Sequence, residues 1–304
     1  MRPQAAIAAS LVIVALPFVA FSHHQDGVKE DNATYVARIE KWRTETDADL
    51  RSQSGWLSVA GLFWLNEGEN IVGPSGKIQL PNSDAGDLGD FNLHAGVVTF
   101  HRKAPSGVKI NGKSATDQVL KSDATGTPDR VQVGDLTLTV IERGDRIGIR
   151  MRNPNRKERT EFTGMLWYKV DQTYQVDAEY KAYDKPKKMP ITNVLGDIRM
   201  ADNPGYVLFQ VNGQLCRLEA EATDDGLFFN FTDKTSGKTT YGAGRFLDAA
   251  KPKNGRVILD FNQATCPPCA FTPFATCPLP PTGNNLEVAI EAGEKAPLHQ
   301  IGRS

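Results

Sequence analysis

The sequence has almost no net charge and few histidines or cysteines. Its 35 Lys and Arg balance 36 Asp and Glu, and it holds five His and four Cys in 304 residues. A nucleic-acid-binding surface needs an excess of positive charge, so we expect no nucleic-acid partner. Disorder is also excluded, because 40% hydrophobic and 23% charged residues are typical of a folded globular protein.

Several common catalytic and cofactor motifs are missing from the sequence. It contains no Gly-x-Ser-x-Gly nucleophile elbow and no His-Glu-x-x-His zinc motif. Residues 241–245 read Tyr-Gly-Ala-Gly-Arg, but they lack the strand-loop-helix pattern that a dinucleotide site requires. We therefore predict no cofactor and no metal, and the sequence leaves open whether the protein is an enzyme.

The first 22 residues are expected to be a signal peptide. Arg2 precedes an uncharged apolar run over residues 5–21, and Ala20 and Ser22 are the small residues that a signal peptidase requires. We predict cleavage after Ser22 and an extracytoplasmic mature chain, periplasmic or secreted, without a membrane partner. The alternative is an uncleaved membrane anchor, but the run is short and Pro17 interrupts it.

Residues 23–54 are expected to form a polar tail followed by an amphipathic helix. Asp31 and Asn32 are favourable N-cap residues. Tyr35, Ile39 and Trp42 then recur at helical spacing. This pattern predicts a helix over residues 33–50.

The rest of the chain is expected to be mainly β, in two consecutive sandwich- or barrel-like modules over residues 55–152 and 160–304. Its apolar segments are short, rich in β-branched and aromatic residues, and separated by turn residues. The Asn-Gly pairs at 111–112 and 212–213 predict tight hairpins. We also predict a hairpin joining residues 227–232 to 238–242, and a final strand over residues 286–291.

The first module resembles the forkhead-associated sandwich. Segments 70–73, 77–80, 108–112 and 131–135 follow the order of that family's strands. In the family, an Arg after the first Gly and a Ser-x-x-His element bind phosphothreonine. This chain has Pro74 after Gly73, and no Ser-x-x-His precedes the hairpin. The resemblance therefore implies a strand layout and not phosphopeptide binding.

The most distinctive stretch is residues 259–295, which contain a Cys-Pro-Pro-Cys sequence and six prolines between 266 and 281. This signature, together with motifs such as those at 193–197 and 241–245, resembles the bacterial family called domain of unknown function 1684. The resemblance extends over nearly the whole mature chain and implies no particular activity. In that family's pattern Asn stands at the position of Cys266, whereas Cys269 and Cys277 match.

Four cysteines in an exported chain predict disulfides. We predict Cys269–Cys277, which encloses a short loop, and Cys216–Cys266, which joins the remaining two. Zinc is a competing interpretation, because Cys266-x-x-Cys269 has the spacing of metal ligands. A catalytic thiolate is a third, and it would need a nearby base.

The polar residues of these motifs allow either a site or a buried hydrogen-bond network. The candidates for catalysis are Asp260, Arg245, Glu294 and Cys269. The candidates for ligand binding are Tyr241, Asn262, Lys295, Trp56 and Trp64. We predict a binding or accessory module for an unknown small molecule or protein, held in a cleft between the modules near the proline-rich loop. The alternative is a hydrolase-like enzyme with a polar site at that loop.

Overall fold

The computed structural model describes residues 30–81, 86–103 and 107–300. The predicted signal peptide lies outside these residues. Within the described ranges, no helix is long and apolar enough to cross a membrane. The chain forms two compact units, one of residues 51–162 and one that combines residues 30–50 with residues 163–300. Helix α1 (Asn32–Leu50) therefore belongs to the same unit as the C-terminal signature.

Among its described residues, the first unit has ten strands and a short helix α2 (Lys157–Thr160). The strands are β1 (Val59–Trp64), β2 (Gly68–Val72), β3 (Gly89–His94), β4 (Val97–Arg102), β5 (Lys109–Ile110), β6 (Lys113–Ser114), β7 (Gln118–Val119), β8 (Val131–Val133), β9 (Leu136–Arg143) and β10 (Arg146–Arg152). They form a six-stranded sheet in the order β1-β10-β9-β8-β5-β6 and a four-stranded sheet in the order β2-β3-β4-β7, with antiparallel pairing.

The two sheets of the first unit share one hydrophobic core. Buried side chains alternate along β3 and β4, and the cross-strand partners Phe91 and Phe100 pack with ring centroids 5.3 Å apart. The other sheet contributes Leu138, Val140 and Ile149 to the same cluster. Two sheets over one core make this unit sandwich-like, and neither closes into a barrel within the described residues.

The second unit contains seven strands. They are β11 (Gln175–Thr192), β12 (Ile198–Val211), β13 (Gln214–Glu219), β14 (Glu221–Ala222), β15 (Gly226–Phe231), β16 (Arg245–Ala250) and β17 (Arg256–Asp260). They form a sheet in the order β13-β12-β11-β17 and a sheet in the order β14-β15-β16. Phe209 and Leu218 of the first of these sheets and Phe229, Phe231 and Leu247 of the second belong to one core.

Helix α1 is anchored to the second unit by one apolar stripe. Tyr35 and Ile39, four residues apart, are fully buried and cluster with Val170. The carboxylate of Asp31 caps the helix, because it accepts hydrogen bonds from the backbone N–H groups of Ala33 and Thr34 at 3.0 and 3.1 Å. The predicted N-terminal helix and the mainly β class are confirmed.

Both Asn-Gly hairpins are present. Asn111 and Gly112 have φ of 51° and 80°, and Asn212 and Gly213 have φ of 51° and 75°. These left-handed conformations suit a two-residue turn between antiparallel strands, and the second turn joins β12 to β13.

Two other strand predictions are wrong. β15 pairs with β14 and β16, and residues 238–242 form turns instead of its hairpin partner. Residues 286–291 keep the alternating burial of a strand but form no regular ladder. Their backbone bonds go to a loop, for example from the N–H of Leu286 to the carbonyl of Thr232 and from that of Lys234 to the carbonyl of Val288.

Candidate functional site

Asp260, a catalytic candidate, lies in a buried network under helix α1. β17 ends at Asp260, whose Oδ1 accepts hydrogen bonds from the Tyr35 hydroxyl at 2.7 Å and the Asn262 backbone N–H at 3.2 Å. Asn262, a ligand-binding candidate, donates to the Tyr35 oxygen at 2.8 Å and to the Asp171 carbonyl at 2.8 Å. Burial raises the pKa of Asp260, while its bond from Tyr35 acts in the opposite direction. This arrangement fastens the helix to the start of the signature loop.

Arg245 lies in a different network, around a buried ion pair. Its Nη2 is 3.1 Å from Oδ2 of Asp233, and both side chains are almost completely buried. The guanidinium also donates to the carbonyls of Ile290, at 2.9 Å, and Ala292. The same Asp233 oxygen accepts the N–H of Ile290 at 2.7 Å. The pair therefore holds residues 290–292 in place from both sides.

Glu294 has a third set of partners. Its side chain is 1% exposed, and it accepts the backbone N–H of Cys266 at 2.6 Å. Burial raises the pKa of Glu294 to about 8, although the bond from Cys266 and the charge of Arg245 act in the opposite direction. The carboxyl is therefore protonated at neutral pH.

The structure does not bring Asp260, Arg245 and Glu294 to one open pocket. Each is buried, and their hydrogen bonds go to different groups. We conclude that these residues hold the signature segment against helix α1 and β16.

The five ligand-binding candidates have different partners. The Tyr241 hydroxyl donates to the carbonyl of Cys269 at 3.3 Å, and the Lys295 ammonium lies 4.7 Å from the centre of the Tyr168 ring. Trp56 and Trp64 belong to the first unit, where Arg150 and Arg146 lie over their rings at 4.9 and 4.1 Å. Tyr241, Asn262 and Lys295 belong to the second unit, so the five candidates are divided between the two units.

Neither predicted disulfide is formed in the structure. Cys216 and Cys266 each have their own sulfur contact, at 3.6 Å to the carbonyls of Gln214 and Lys295. Cys269 and Cys277 do lie together, because the Cys269 backbone N–H donates to the Cys277 sulfur at 3.2 Å. Among the described residues, no three His, Cys, Asp or Glu side chains are grouped as metal ligands, so the zinc interpretation finds no site there.

A polar groove lies beside helix α1, at the end of the signature segment. Its volume is about 250 Å³, and it is lined by Glu40, Arg43, Thr44, Asp47 and Trp167. The four helix residues lie at positions i, i+3, i+4 and i+7, which places them on one face. Trp167 pairs with Glu294 through an isolated β-bridge, so the groove borders the end of the signature.

Arg43 is the unusual member of this groove. Its side chain is 5% exposed, and its Nη1 donates to the Tyr168 carbonyl at 3.0 Å and to the Glu40 carboxylate at 3.2 Å. The guanidinium carbon lies 4.8 Å from the centre of the Trp167 ring. Nε and Nη2 are buried without a hydrogen-bond partner. Buried polar groups are nearly always paired, so two unpaired N–H groups on a residue that lines the groove indicate a missing acceptor.

The proline-rich loop covers a much smaller cavity. This cavity has a volume of about 10 Å³ and is lined by residues that include Asn230, Pro278 and Pro281. Asn230 donates to the Pro278 carbonyl at 2.9 Å, while its Oδ1 is buried and unpaired. This is room for one water molecule and not for an organic ligand. At this position the loop acts as a cover.

The comparisons with known proteins agree with part of the predicted resemblance. Residues 160–295 match the family described as Protein of unknown function (DUF1684). The match covers about half of the chain and not nearly all of it, so the motifs before residue 160 lie outside it. None of the curated proteins matches this sequence.

A solved structure is also similar in sequence. It is the solution NMR structure of an uncharacterized protein from Haloarcula marismortui, which is 31% identical to this chain. The similarity covers 47% of this chain and 82% of that one, with a TM-score of 0.40.

The groove was not predicted from the sequence, although the position of one arginine in the helical repeat indicated it. Glu40, Arg43, Thr44 and Asp47 read as the solvated face of an amphipathic helix. An Arg one turn after Ile39 falls on the buried stripe, since 39 and 43 are four residues apart. A buried Arg at that position needs partners, and this requirement could have identified the face as a site.

Proposed function

We propose that the second unit binds a small zwitterion, such as a free amino acid, in the groove between helix α1 and Trp167. The observation that carries the proposal is the pair of unpartnered N–H groups of Arg43, a residue that lines the groove. In this proposal the protein is a binding module, and the ligand completes the hydrogen bonding of a buried cation.

The free edge of Arg43 has the geometry of a carboxylate receptor. Nε–H and Nη2–H are neighbours on one edge of the planar guanidinium, and such a fork binds both oxygens of a carboxylate. Leaving two buried donors unpaired costs about 1–3 kcal/mol each. A carboxylate that accepts from both would recover this free energy on binding.

The charges that flank Arg43 favour an amine on the same ligand. Glu40 and Asp47 line the groove on the same helix face, so a simple anion would meet two carboxylates. A zwitterion presents an ammonium to these carboxylates and a carboxylate to Arg43. The volume of about 250 Å³ lies below that of drug-sized sites, which also favours a small molecule.

Binding receives more support than hydrolysis. Three of the four residues of the hydrolase alternative, Asp260, Arg245 and Glu294, are buried in separate networks, whereas the fourth, Cys269, is partly exposed. The hydrolase alternative would need its carboxyl and guanidinium groups together at a substrate-accessible space. The ligand-binding proposal needs only the groove residues.

The decisive experiment is a binding screen with the free amino acids, followed by matched analogues of the best one. The amide of that amino acid lacks the carboxylate, and its deamino acid lacks the ammonium. A ligand at one hundred times its dissociation constant stabilises the native state by about 2.7 kcal/mol, which a thermal shift detects. We expect one or more amino acids to bind and both analogues to bind at least about tenfold more weakly.

Arg43→Gln and Lys41→Gln form a matched pair of variants for this screen. Both remove one positive charge from helix α1, but Lys41 is 75% exposed and does not line the groove. We expect Arg43→Gln to abolish binding and Lys41→Gln to preserve it. Equal binding by both variants, or no binding of any amino acid to the wild type, would contradict the proposal.

We also propose that the protein acts outside the cytoplasm, after cleavage behind Ser22. The support is the sequence pattern of residues 1–22. The intact mass of the protein from an extracytoplasmic fraction tests this, because a chain that begins at His23 is expected. A chain that keeps residues 1–22 in the membrane fraction would contradict it.

A further inference from the structure

We propose that Cys269 and Cys277 form a reversible thiol–disulfide site, in which Cys269 attacks a low-molecular-weight disulfide and Cys277 resolves the mixed disulfide. This site is separate from the groove of helix α1 and is independent of the ligand proposed there. It goes beyond the sequence prediction, which assigned a permanent structural bridge and gave the two thiols no distinct roles.

The proposal starts from the contact between the two cysteines. The Cys269 backbone N–H donates to the Cys277 sulfur at 3.2 Å, which places this sulfur directly against Cys269. The seven residues between them include Pro273, which limits how far the loop can open. Two thiols held in contact across a short loop can be oxidised with little movement of the backbone.

The two thiols differ in exposure. Cys269 is partly exposed, whereas Cys277 is buried. The neighbouring side chains of Cys277 and Tyr241 lower the pKa of Cys269, against the effect of burial. The thiolate is the nucleophile in disulfide exchange, so Cys269 is the thiol that is both accessible and activated.

The other two cysteines have the opposite properties. Burial raises the pKa of Cys266 well above its usual value, and the nearby carboxyl of Glu294 adds to this. Burial also raises the pKa of Cys216. Both are therefore expected to stay reduced under conditions that oxidise the Cys269 pair.

The chemistry is two successive thiol–disulfide exchanges. The Cys269 thiolate attacks one sulfur of the oxidant, which forms a mixed disulfide and releases one thiolate. Cys277 then loses its proton and attacks the Cys269 sulfur, which forms the internal disulfide and releases the second thiolate. In total the protein loses two protons and two electrons, and the oxidant is reduced to two thiols.

Oxidised glutathione is the probe for the test on the folded, full-length wild-type protein. Residues 257–295 contain no Arg or Lys before Lys295, so trypsin releases Cys266, Cys269 and Cys277 in one peptide. We expect this peptide to lose the mass of two hydrogens, and its fragmentation to place the link between 269 and 277. A link that includes Cys266 or Cys216, or no link in the folded protein, would overturn the proposal.

Two variants and one labelling experiment test the assigned roles. Cys277→Ser should trap a glutathione adduct on Cys269, and Cys269→Ser should leave Cys277 unmodified over the same time. If a variant does not fold, alkylation of the reduced wild type by iodoacetamide gives the same information. We expect Cys269 to react roughly tenfold or more faster than Cys266. Faster reaction of Cys266 or Cys277 would contradict the assignment.

Discussion

Replacing Glu294 by Gln should remove the part of the pH dependence of the unfolding free energy that this carboxyl causes. The carboxyl is completely buried, and its pKa rises from 4.5 to about 8 in the folded protein. Above pH 4.5 the unfolded chain releases a proton that the folded protein keeps. The contribution of this carboxyl to the free energy of unfolding is therefore largest below about pH 4.5. It is lost as the pH rises towards about 8, at about 1.4 kcal/mol per pH unit.

The size of the effect follows from the interval between the two pKa values. Between about pH 5 and about pH 8 the wild type should lose on the order of 4 kcal/mol through this group. A neutral amide does not titrate and can still accept the N–H of Cys266 through its oxygen. The variant should therefore not show this loss, so its free energy of unfolding should increase relative to that of the wild type as the pH rises.

Urea unfolding at the two pH values measures the difference, with the free energy of unfolding extrapolated to water. Glu291→Gln is the control, because Glu291 lies three residues earlier on the same segment and is exposed. We expect Glu291→Gln to keep the pH dependence of the wild type. An identical pH dependence in Glu294→Gln and the wild type would refute the reasoning, since it would mean that the buried carboxyl keeps its usual pKa.

Two further predictions concern the buried networks. Asp233→Asn should leave the Arg245 cation uncompensated and cost about 3–5 kcal/mol of unfolding free energy. The control Glu287→Gln, which breaks an exposed ion pair, should cost at most about 1 kcal/mol. Equal losses of the two variants in urea unfolding would contradict this prediction. Tyr35→Phe removes the hydroxyl bonded to Asp260 and should cost about 1–3 kcal/mol. Faster hydrogen exchange in helix α1 should accompany that loss, and unchanged exchange would count against the anchoring role.

The elements that local chemistry determines were predictable from the sequence. Asp31 is a cap residue followed by an apolar helical repeat, so helix α1 follows from its own residues. The Asn-Gly pairs at 111–112 and 212–213 need only the two turn residues to adopt positive φ. In these cases the sequence within ten to twenty residues contains the physical cause.

The wrong prediction of a strand over residues 286–291 has its cause in a distant side chain. Residues 286–291 alternate as a strand does, and the alternation correctly predicts which side chains are buried. The N–H of Ile290, however, is bound by the carboxylate of Asp233, which also accepts bonds from the backbone and side chain of Thr235. A pairing decided by a residue 57 positions away is invisible to local patterns.

The candidate site was harder to predict than the fold. The signature correctly identified residues that are buried and bonded, such as Arg245 and Glu294, but polar residue types do not distinguish a network from a site. The groove depends on Trp167 meeting Arg43 from another part of the chain. Only the packed structure reveals that two N–H groups of this Arg are left without partners.

Whether the groove of helix α1 is a ligand site can be measured on the tryptophans of the protein. The experiment follows their indole N–H signals in a ¹⁵N NMR titration with the best amino acid from the screen. The four tryptophans give one such signal each, assigned with single Trp→Phe variants. Trp167 lines the groove and stacks edge-on with Trp42 at 5.7 Å, whereas Trp56 and Trp64 belong to the other unit. We expect a saturable shift of the Trp167 signal and a smaller shift of the Trp42 signal. Both shifts should be absent in Arg43→Gln. Unchanged Trp167 and Trp42 signals, or shifts confined to Trp56 and Trp64, would contradict it.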